Sequence, residues 1–293
     1  MPLSPAPHAA TVDLASGTVA HRVFGPSQGD PIVFVHGALV DGSLWHEVAD
    51  RLDADGLRAL APDLPMGSHR TALPDADLTP TGQAALLLDY LDHLDLTGVT
   101  LVANDSGGAV TQLLLGSGDK RVERVSRVVF TNCDTVGRFP PPPFDRMFAA
   151  ATRPRLTAVL LQPNRSAAVR ASRLGFGPLC AEPLDPALTW RWIEPALTDA
   201  GIRRDFARFA AGVADQQQDL ADATDRLHSF DGPVLVVWGT DDRFFRLADG
   251  RKLADRFPAG RVVEVPGSRT FVAHDRPERL AEEVAAFVGA TVS

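Results

Sequence analysis

The stretch that decides the fold spans residues 101–110 and reads Leu101-Val102-Ala103-Asn104-Asp105-Ser106-Gly107-Gly108-Ala109-Val110. A β-branched apolar run enters it and an amphipathic helical pattern leaves it, which predicts a strand, a sharp turn and a helix. A reactive residue on such a turn needs small neighbours two positions before and after it, so that strand and helix can pass closely. Ala103 and Gly107 meet that demand when Asp105 is the turn residue. The competing register puts Ser106 at the turn with an asparagine two positions before it, which crowds the turn, and we therefore favour Asp105.

Strand and helix patterns alternate on both sides of this stretch. The segments 11–14 and 18–24 read as a hairpin of the first two strands. Helical patterns at 44–52 and 81–94 separate strands predicted near residues 32, 57, 99, 125, 234 and 261. This alternation implies crossover helices and a mostly parallel sheet.

Taken together, these motifs resemble the α/β-hydrolase superfamily over nearly the whole chain. Residues 31–38 resemble the third strand and the His-Gly turn that supplies an oxyanion-hole amide, here from Ala38. Residues 234–242 resemble the seventh strand and the acid loop that follows it. The motifs occur in the family's order, with an aspartate where many members carry serine, as in the haloalkane dehalogenase and epoxide hydrolase branch. The resemblance implies a doubly wound, mostly parallel eight-stranded sheet of the α/β class.

The resemblance also implies a helical lid inserted after the sixth strand. About a hundred residues separate the sixth and seventh predicted strands, and they are helical with no strand-like alternation. We expect a first part of the core domain at 1–134, the lid at 135–228 and the second part of the core at 229–293. The proline run at 139–144 is either a stiff linker into the lid or part of the pocket mouth.

Composition indicates an enzyme with a small partner. The net charge is −8, from 29 basic and 37 acidic residues without a basic run, which argues against nucleic-acid binding. The chain shows neither a signal peptide nor an apolar segment of membrane-spanning length, so we expect a cytoplasmic protein without a membrane partner. Cys133 and Cys180 lack a paired spacing and suggest neither a disulfide nor a metal site. We expect a small-molecule substrate and no cofactor or metal; the oligomeric state is open.

An aspartate at the turn has a chemistry of its own. A carboxylate can displace a leaving group from saturated carbon and form a covalent ester. Water then hydrolyses the ester, with a histidine as general base and the amides of Ala38 and Ser106 stabilising the oxyanion. A structural alternative is an aspartate that only caps the following helix, whose first amides favour an anion. That alternative explains Asp105 but not its small neighbours or the order of the motifs.

The family's histidine is absent. Relatives carry it seven residues before the proline that opens the last helix; that proline is Pro277 here, and Thr270 occupies the position. His274 lies nearby, where a surface role is expected unless the loop turns it inward. His69 follows the fourth strand at the carboxyl edge of the sheet and is another substitute, whereas His36 belongs to the oxyanion turn and reads as structural.

Two acids are candidates for orienting a base or for acting without one. Asp242 matches the usual acid after the seventh strand, and Asp134 follows the sixth strand at the alternative acid position of some haloalkane dehalogenases. Either is also able to cap a helix or to pair with Arg243 or Arg138. If either carboxylate lies close to Asp105 in an apolar cleft, charge repulsion and burial would raise the pKa of one of the two groups. The two carboxyl groups would then form an acid-base pair without histidine.

Absences narrow the substrate class. The one tyrosine, Tyr90, precedes the strand before the turn, whereas epoxide hydrolases of this fold use lid tyrosines. Ser106 stands where haloalkane dehalogenases bind halide with tryptophan, which leaves Trp190 in the lid as a candidate donor. We expect a hydrolase acting on a small, largely apolar molecule through Asp105. The alternatives are a non-hydrolytic lyase, isomerase or epoxide-opening cyclase that uses Asp105 as acid-base, and a ligand-binding protein without turnover.

Overall fold

The computed structural model of the protein describes residues 8–135, 137 and 139–290. One sheet holds eight strands: β1 (His8–Leu14), β2 (Gly17–Phe24), β3 (Pro31–Val35), β4 (Arg58–Pro62), β5 (Val99–Asp105), β6 (Val125–Cys133), β7 (Val234–Gly239) and β8 (Gly260–Val265). Their order is β1-β2-β4-β3-β5-β6-β7-β8. Strand β2 runs antiparallel to β1 and β4, and the pairs from β4 to β8 are parallel. The predicted eight-stranded, mostly parallel sheet is confirmed.

Helices cover both faces of the sheet. They are α1 (His46–Ala54), α2 (Pro80–His93), α3 (Ser106–Leu115), α4 (Phe144–Ala151), α5 (Pro154–Leu160), α6 (Ala167–Ala171), α7 (Pro186–Thr198), α8 (Ala200–Asp215), α9 (Gln217–Arg226), α10 (Leu247–Ala254), α11 (Val272–Asp275) and α12 (Pro277–Gly289). Alternate residues of one strand enter different cores: Val33 and Val35 pack with α2 and α3, whereas Ile32 and Phe34 pack with α1 and α12. This alternation follows from the two-residue period of a strand.

The long connection from β6 to β7 carries α4 to α9. Within it, α8 packs against α4, α5 and α7, while α9 packs against α3 on the face of the sheet. The last helix of the segment that we expected to be lid therefore contacts the core. No helix in the ranges 8–135 and 139–290 has the length and apolar character needed to cross a membrane.

Candidate active site

Asp105 lies on a sharp turn between β5 and α3. Its backbone has φ of +54° and ψ of −130°, a left-handed conformation that is costly for a residue with a side chain. The turn is tight, since a Cβ added to Gly107 would lie 2.3 Å from the carbonyl oxygen of Val35. A Cβ on Gly37 would lie 2.3 Å from Oδ2 of Asp105, so the glycine after His36 leaves space for the carboxylate. Strand, turn and helix therefore aim the Asp105 side chain at one place.

That place is an apolar cavity of about 120 Å³ between the sheet and the helices of the β6–β7 connection. Asp105, Ser106 and Asn164 supply its polar side chains, and the other lining groups are mostly apolar, with Phe148 and Phe176 among them. Two prolines of the 139–144 run also line it. A carboxylate at one end of an apolar cavity suits a small ligand with one reacting polar group.

The two residues expected to supply the oxyanion-hole amides, Ala38 and Ser106, both line the same cavity. Ser106 is the first residue of α3, so its N–H has no partner within the helix. The turn that carries Ala38 is held by His36, whose Nδ1 donates to the carbonyl of Gly37 at 2.8 Å and whose Nε2 accepts from the amide of Leu64 at 2.8 Å. Burial lowers the pKa of His36, so the ring is neutral and structural.

Asp242 lies at the end of β7, close enough for its charge to act on Asp105. Thr270 donates its hydroxyl to Oδ2 of Asp242 at 2.9 Å, and Asn132 donates an amide to the same oxygen at 2.8 Å. The other oxygen accepts two backbone amides of the following loop. Thr270 is itself fixed, because Asn104 donates to its carbonyl at 2.7 Å. At the position of the missing histidine, the hydroxyl of Thr270 therefore donates a hydrogen bond to Asp242.

Asp134 is fully buried behind the turn, where its backbone amide donates to the carbonyl of Asp105 at 3.2 Å. Neither of its carboxyl oxygens has a hydrogen bond of normal geometry to another described residue. Arg138, its expected partner, lies outside the described residues. Burial raises the pKa of Asp134 well above its ordinary value, and the charge of Asp105 raises it further. A polar contact with the Ser106 side chain lowers this pKa in part.

The same physics acts on Asp105. Its pKa is raised to about 7, mainly by burial and further by the negative charge of Asp242, while the backbone amide of Ser106 opposes the increase. Burial also raises the pKa of Asp242, although its four hydrogen bonds counteract this. A carboxyl group that titrates near neutral pH is able both to take and to return a proton.

The histidines expected as substitutes lie away from the cavity. His69 is buried with Nε2 3.2 Å from Oδ2 of Asp205, and its Nδ1 faces the amide of Gly67 at 3.4 Å. His274 lies on α11, and its Nε2 is buried without a hydrogen bond in the described part of the chain. No histidine is among the described residues that line the cavity.

Trp190 also lies outside the cavity lining, with its ring beneath the guanidinium of Arg170 at 5.3 Å. The neighbouring Trp192 donates to the hydroxyl of Ser43 at 2.9 Å and holds α7 against the turn after β3. Sequence analysis missed Asn132, which links Asp242 to the end of β6. A run of polar residues after an apolar strand was the available indication. Across residues 8–135 and 139–290, no three His, Cys, Asp or Glu side chains are grouped so as to hold a metal ion.

Comparison with known proteins gives a family match over most of the chain. Residues 32–283 match the model of the alpha/beta hydrolase family. An uncharacterized protein of Mycobacterium tuberculosis is 26% identical over 277 residues, covering 93% of this chain and 78% of the relative. The cis-3-alkyl-4-alkyloxetan-2-one decarboxylase of Xanthomonas campestris is 27% identical over 281 residues, 90% of each chain.

Other matches are partial or structural. A haloalkane dehalogenase of Agrobacterium fabrum is 36% identical over 128 residues, covering 43% of this chain and 41% of the relative. The crystal structure of a haloalkane dehalogenase from Bradyrhizobium elkani superposes with a TM-score of 0.78 at 19% identity, over 98% of this chain and all of that one. An alpha/beta hydrolase fold protein from Burkholderia ambifaria gives 0.74 at 29% identity, over 94% and 99%.

Proposed function

The chain belongs to the alpha/beta hydrolase family and is a hydrolase-like enzyme, and we propose that Asp105 acts in it as a reversible base on a small, largely apolar carbonyl compound. The main support is the hydrogen bond from Thr270 to Asp242. Thr270 occupies the position of the histidine that would activate water to hydrolyse an aspartyl ester. With a pKa of about 7, Asp105 is divided between its charged and neutral forms near neutral pH. That division suits proton transfer better than covalent chemistry.

The proposed step moves one proton. An oxygen of Asp105 takes the proton from a carbon next to the substrate carbonyl, and the C–H electron pair moves to form an enolate. The enolate oxygen accepts hydrogen bonds from the amides of Ala38 and Ser106, which stabilise the charge that develops there. Asp105 then returns the proton to another carbon of the same molecule, which gives an isomer, or to a departing group, which gives an elimination. Both outcomes leave the enzyme unchanged.

One relative supports a reaction other than hydrolysis. The name of the Xanthomonas campestris relative describes a decarboxylation, so a protein 27% identical over 90% of each chain is named for a reaction that does not consume water. Its named substrate is a neutral ring with alkyl substituents. A similar compound suits the cavity, whose lining among the described residues is mostly apolar and contains a single carboxyl group, that of Asp105.

A covalent hydrolase is the second candidate. It is favoured by the left-handed backbone of Asp105 and by the partial match to a haloalkane dehalogenase. In that reaction Asp105 would displace halide or open an epoxide, and the ester would wait for a water that no histidine of the cavity lining activates. We expect slow or single turnover, with the ester accumulating on Asp105.

Two measurements separate the candidates. Incubation in D₂O with small apolar ketones, enones and a cis-3,4-dialkyl β-lactone should introduce deuterium into a probe or convert it, as followed by NMR, and Asp105→Asn should abolish both effects. Intact-protein mass spectrometry after incubation with alkyl halides and epoxides should show no lasting adduct. Steady hydrolysis of a haloalkane through an adduct on Asp105, without deuterium exchange into any carbonyl probe, would overturn the proton-transfer proposal in favour of the second candidate.

A further inference from the structure

The surface beside the cavity mouth is basic although the whole protein is acidic. Residues 146–181 contain six arginines and no aspartate or glutamate, within a chain whose net charge is −8. Five of the six are exposed: Arg146, Arg153, Arg155, Arg165 and Arg173. None of these five forms an ion pair with a described carboxylate. Their positive charges are therefore available to a partner.

Large hydrophobic side chains are also exposed on this surface. The four large hydrophobic side chains that are exposed in the described part of the chain all lie here: Leu156 at 37%, Val159 at 66%, Leu160 at 50% and Leu174 at 79%. Three of them belong to α5, where positions 156, 159 and 160 share one face because they are three and four residues apart. The flank of the helix away from Arg155 holds the buried Thr157. Helix α5 thus presents an apolar stripe outward, with exposed Arg155 beside it.

This surface is continuous with the cavity that contains Asp105. Leu174 is both the most exposed of the four hydrophobic side chains and a residue of the cavity lining. Leu161, which follows α5 directly, lines the cavity as well. A second depression beside α5 is lined by Arg153 and Arg155 together with two arginines of α8. One of the exposed hydrophobic side chains therefore lies at the cavity itself, and cations lie beside the apolar stripe of α5.

We propose that this lid surface, meaning the exposed side of residues 146–181, docks on the anionic face of a phospholipid bilayer. Exposed apolar side chains on a basic helix insert at the boundary of head groups and acyl chains, while arginines attract anionic lipids. Substrate dissolved in the bilayer would then reach Asp105 past Leu174. The expectation of no membrane partner rested on the lack of a spanning segment, and a peripheral contact needs none. The docking does not depend on which reaction Asp105 performs.

Vesicle co-sedimentation tests the proposal with the full-length protein. It should bind vesicles that contain phosphatidylglycerol and not vesicles of phosphatidylcholine alone, and binding should weaken as salt is raised. Since an arginine near the surface contributes about 1 kcal/mol, Arg155→Gln with Arg165→Gln should weaken binding about 25-fold. Val159→Ser with Leu160→Ser should weaken it about tenfold.

The matched control changes two exposed cations elsewhere. Lys120→Gln with Lys252→Gln alters the net charge by the same two units, and both lysines are exposed outside the lid surface. This variant should change binding less than about twofold, because the contact is local. Asp105→Asn should bind vesicles like the parent protein, which keeps this test separate from the test of the reaction.

Three results would overturn the proposal. The first is no binding to phosphatidylglycerol vesicles at low salt. The second is equal loss of binding in the lysine control, which would mean a general charge effect. The third is a dimer, seen by sedimentation velocity, that Val159→Ser with Leu160→Ser dissociates, since the apolar stripe would then be covered by a second copy of the chain.

Discussion

Two pairs of aspartates lie at the same carboxyl edge of the sheet, all buried except Asp105, which is half-buried, and the pairs differ in their neighbours. Asp41 and Asp63 follow β3 and β4 and share two arginines. Nη1 of Arg22 is 2.6 Å from Oδ1 of Asp63, and Nε of Arg191 is 2.8 Å from Oδ2 of Asp41. The amide of Gly42 also donates to Asp63 at 2.9 Å. Despite burial, the two arginines hold the pKa of Asp41 below its ordinary value.

Asp105 and Asp134 follow β5 and β6 and have no such neighbours. None of the ion pairs among the described residues includes either of them. Burial therefore raises both pKa values, that of Asp105 to about 7. Charge compensation, not burial alone, therefore separates the carboxylate whose pKa is lowered from those whose pKa is raised at this edge.

The largest expected effect is the loss of activity in Asp105→Asn. The change keeps the shape of the side chain and removes its ability to take a proton, which should lower turnover of any converted probe about 1,000-fold or more. Ser106→Ala is the control, because it keeps the backbone amide of this cavity-lining residue and should cost less than about tenfold. Steady-state kinetics of both variants provide the measurement. Equal losses in the two would contradict the assignment of Asp105 as the reacting residue.

The next effect concerns the compensated pair and is one of stability. Asp63→Ala removes the acceptor of Arg22 and of the Gly42 amide, and it leaves the arginine buried with one partner fewer. We expect a loss of about 3 kcal/mol in the free energy of unfolding, measured by urea denaturation. Asp134→Asn should cost much less, because its carboxyl group pairs with no cation among the described residues and its contact with the Ser106 side chain can be kept by an amide. If Asp134→Asn destabilises the protein as much as Asp63→Ala, the two pairs do not differ in the way described.

Much of the fold was predictable, because its evidence is local in sequence. The run into Asp105 and the glycines after it fix a strand, a turn and a helix within ten residues. The helical patterns at 44–52 and 81–94 match α1 and α2 to within two residues. Parallel strands place their carboxyl ends together, so the approach of Asp242 to the edge that holds Asp105 was also within reach of sequence analysis.

The partners of these side chains were not predictable, since they depend on distances between remote segments. The sequence alone assigns Thr270 to the position of the missing histidine, but its hydrogen bond to Asp242, 28 positions away, is shown only by the structure. The ion pair of Arg22 with Asp63 spans 41 positions and leaves no pattern in the sequence. The separation of His69 from the cavity likewise follows from its contact with Asp205 on α8.

A more gradual effect, spread over several pH units, is the pH dependence that the uncompensated pair imposes. An aspartate whose pKa is raised on folding binds its proton more tightly in the folded state, so its contribution to stability is full below about pH 4. For Asp105 this contribution is lost as the pH rises from about 4 through about 7. Asp105→Asn should therefore gain stability relative to the parent protein over this range, by at most about 1.4 kcal/mol per pH unit. Urea unfolding at several pH values measures the difference, and a constant difference would contradict the raised pKa.

The smallest effect compares two contacts of α7 with the core. Arg191 is 39% exposed and shares Asp41 with Arg22, which remains in Arg191→Gln, so we expect a loss of about 1 kcal/mol in the free energy of unfolding. Arg70 pairs with Glu194 on the same helix, but both side chains lie at the surface, at 36% and 39% exposure. Arg70→Gln should therefore change stability by about 0.5 kcal/mol or less. Both variants remove one charge, and both contacts tie α7 to a loop at the carboxyl edge of the sheet. Arg70→Gln also removes a hydrogen bond to the carbonyl of Arg191, so a larger loss in Arg191→Gln is due to the buried carboxylate. If the two losses are equal, the compensation of Asp41 does not need Arg191, and Arg22 alone accounts for the contrast with Asp105.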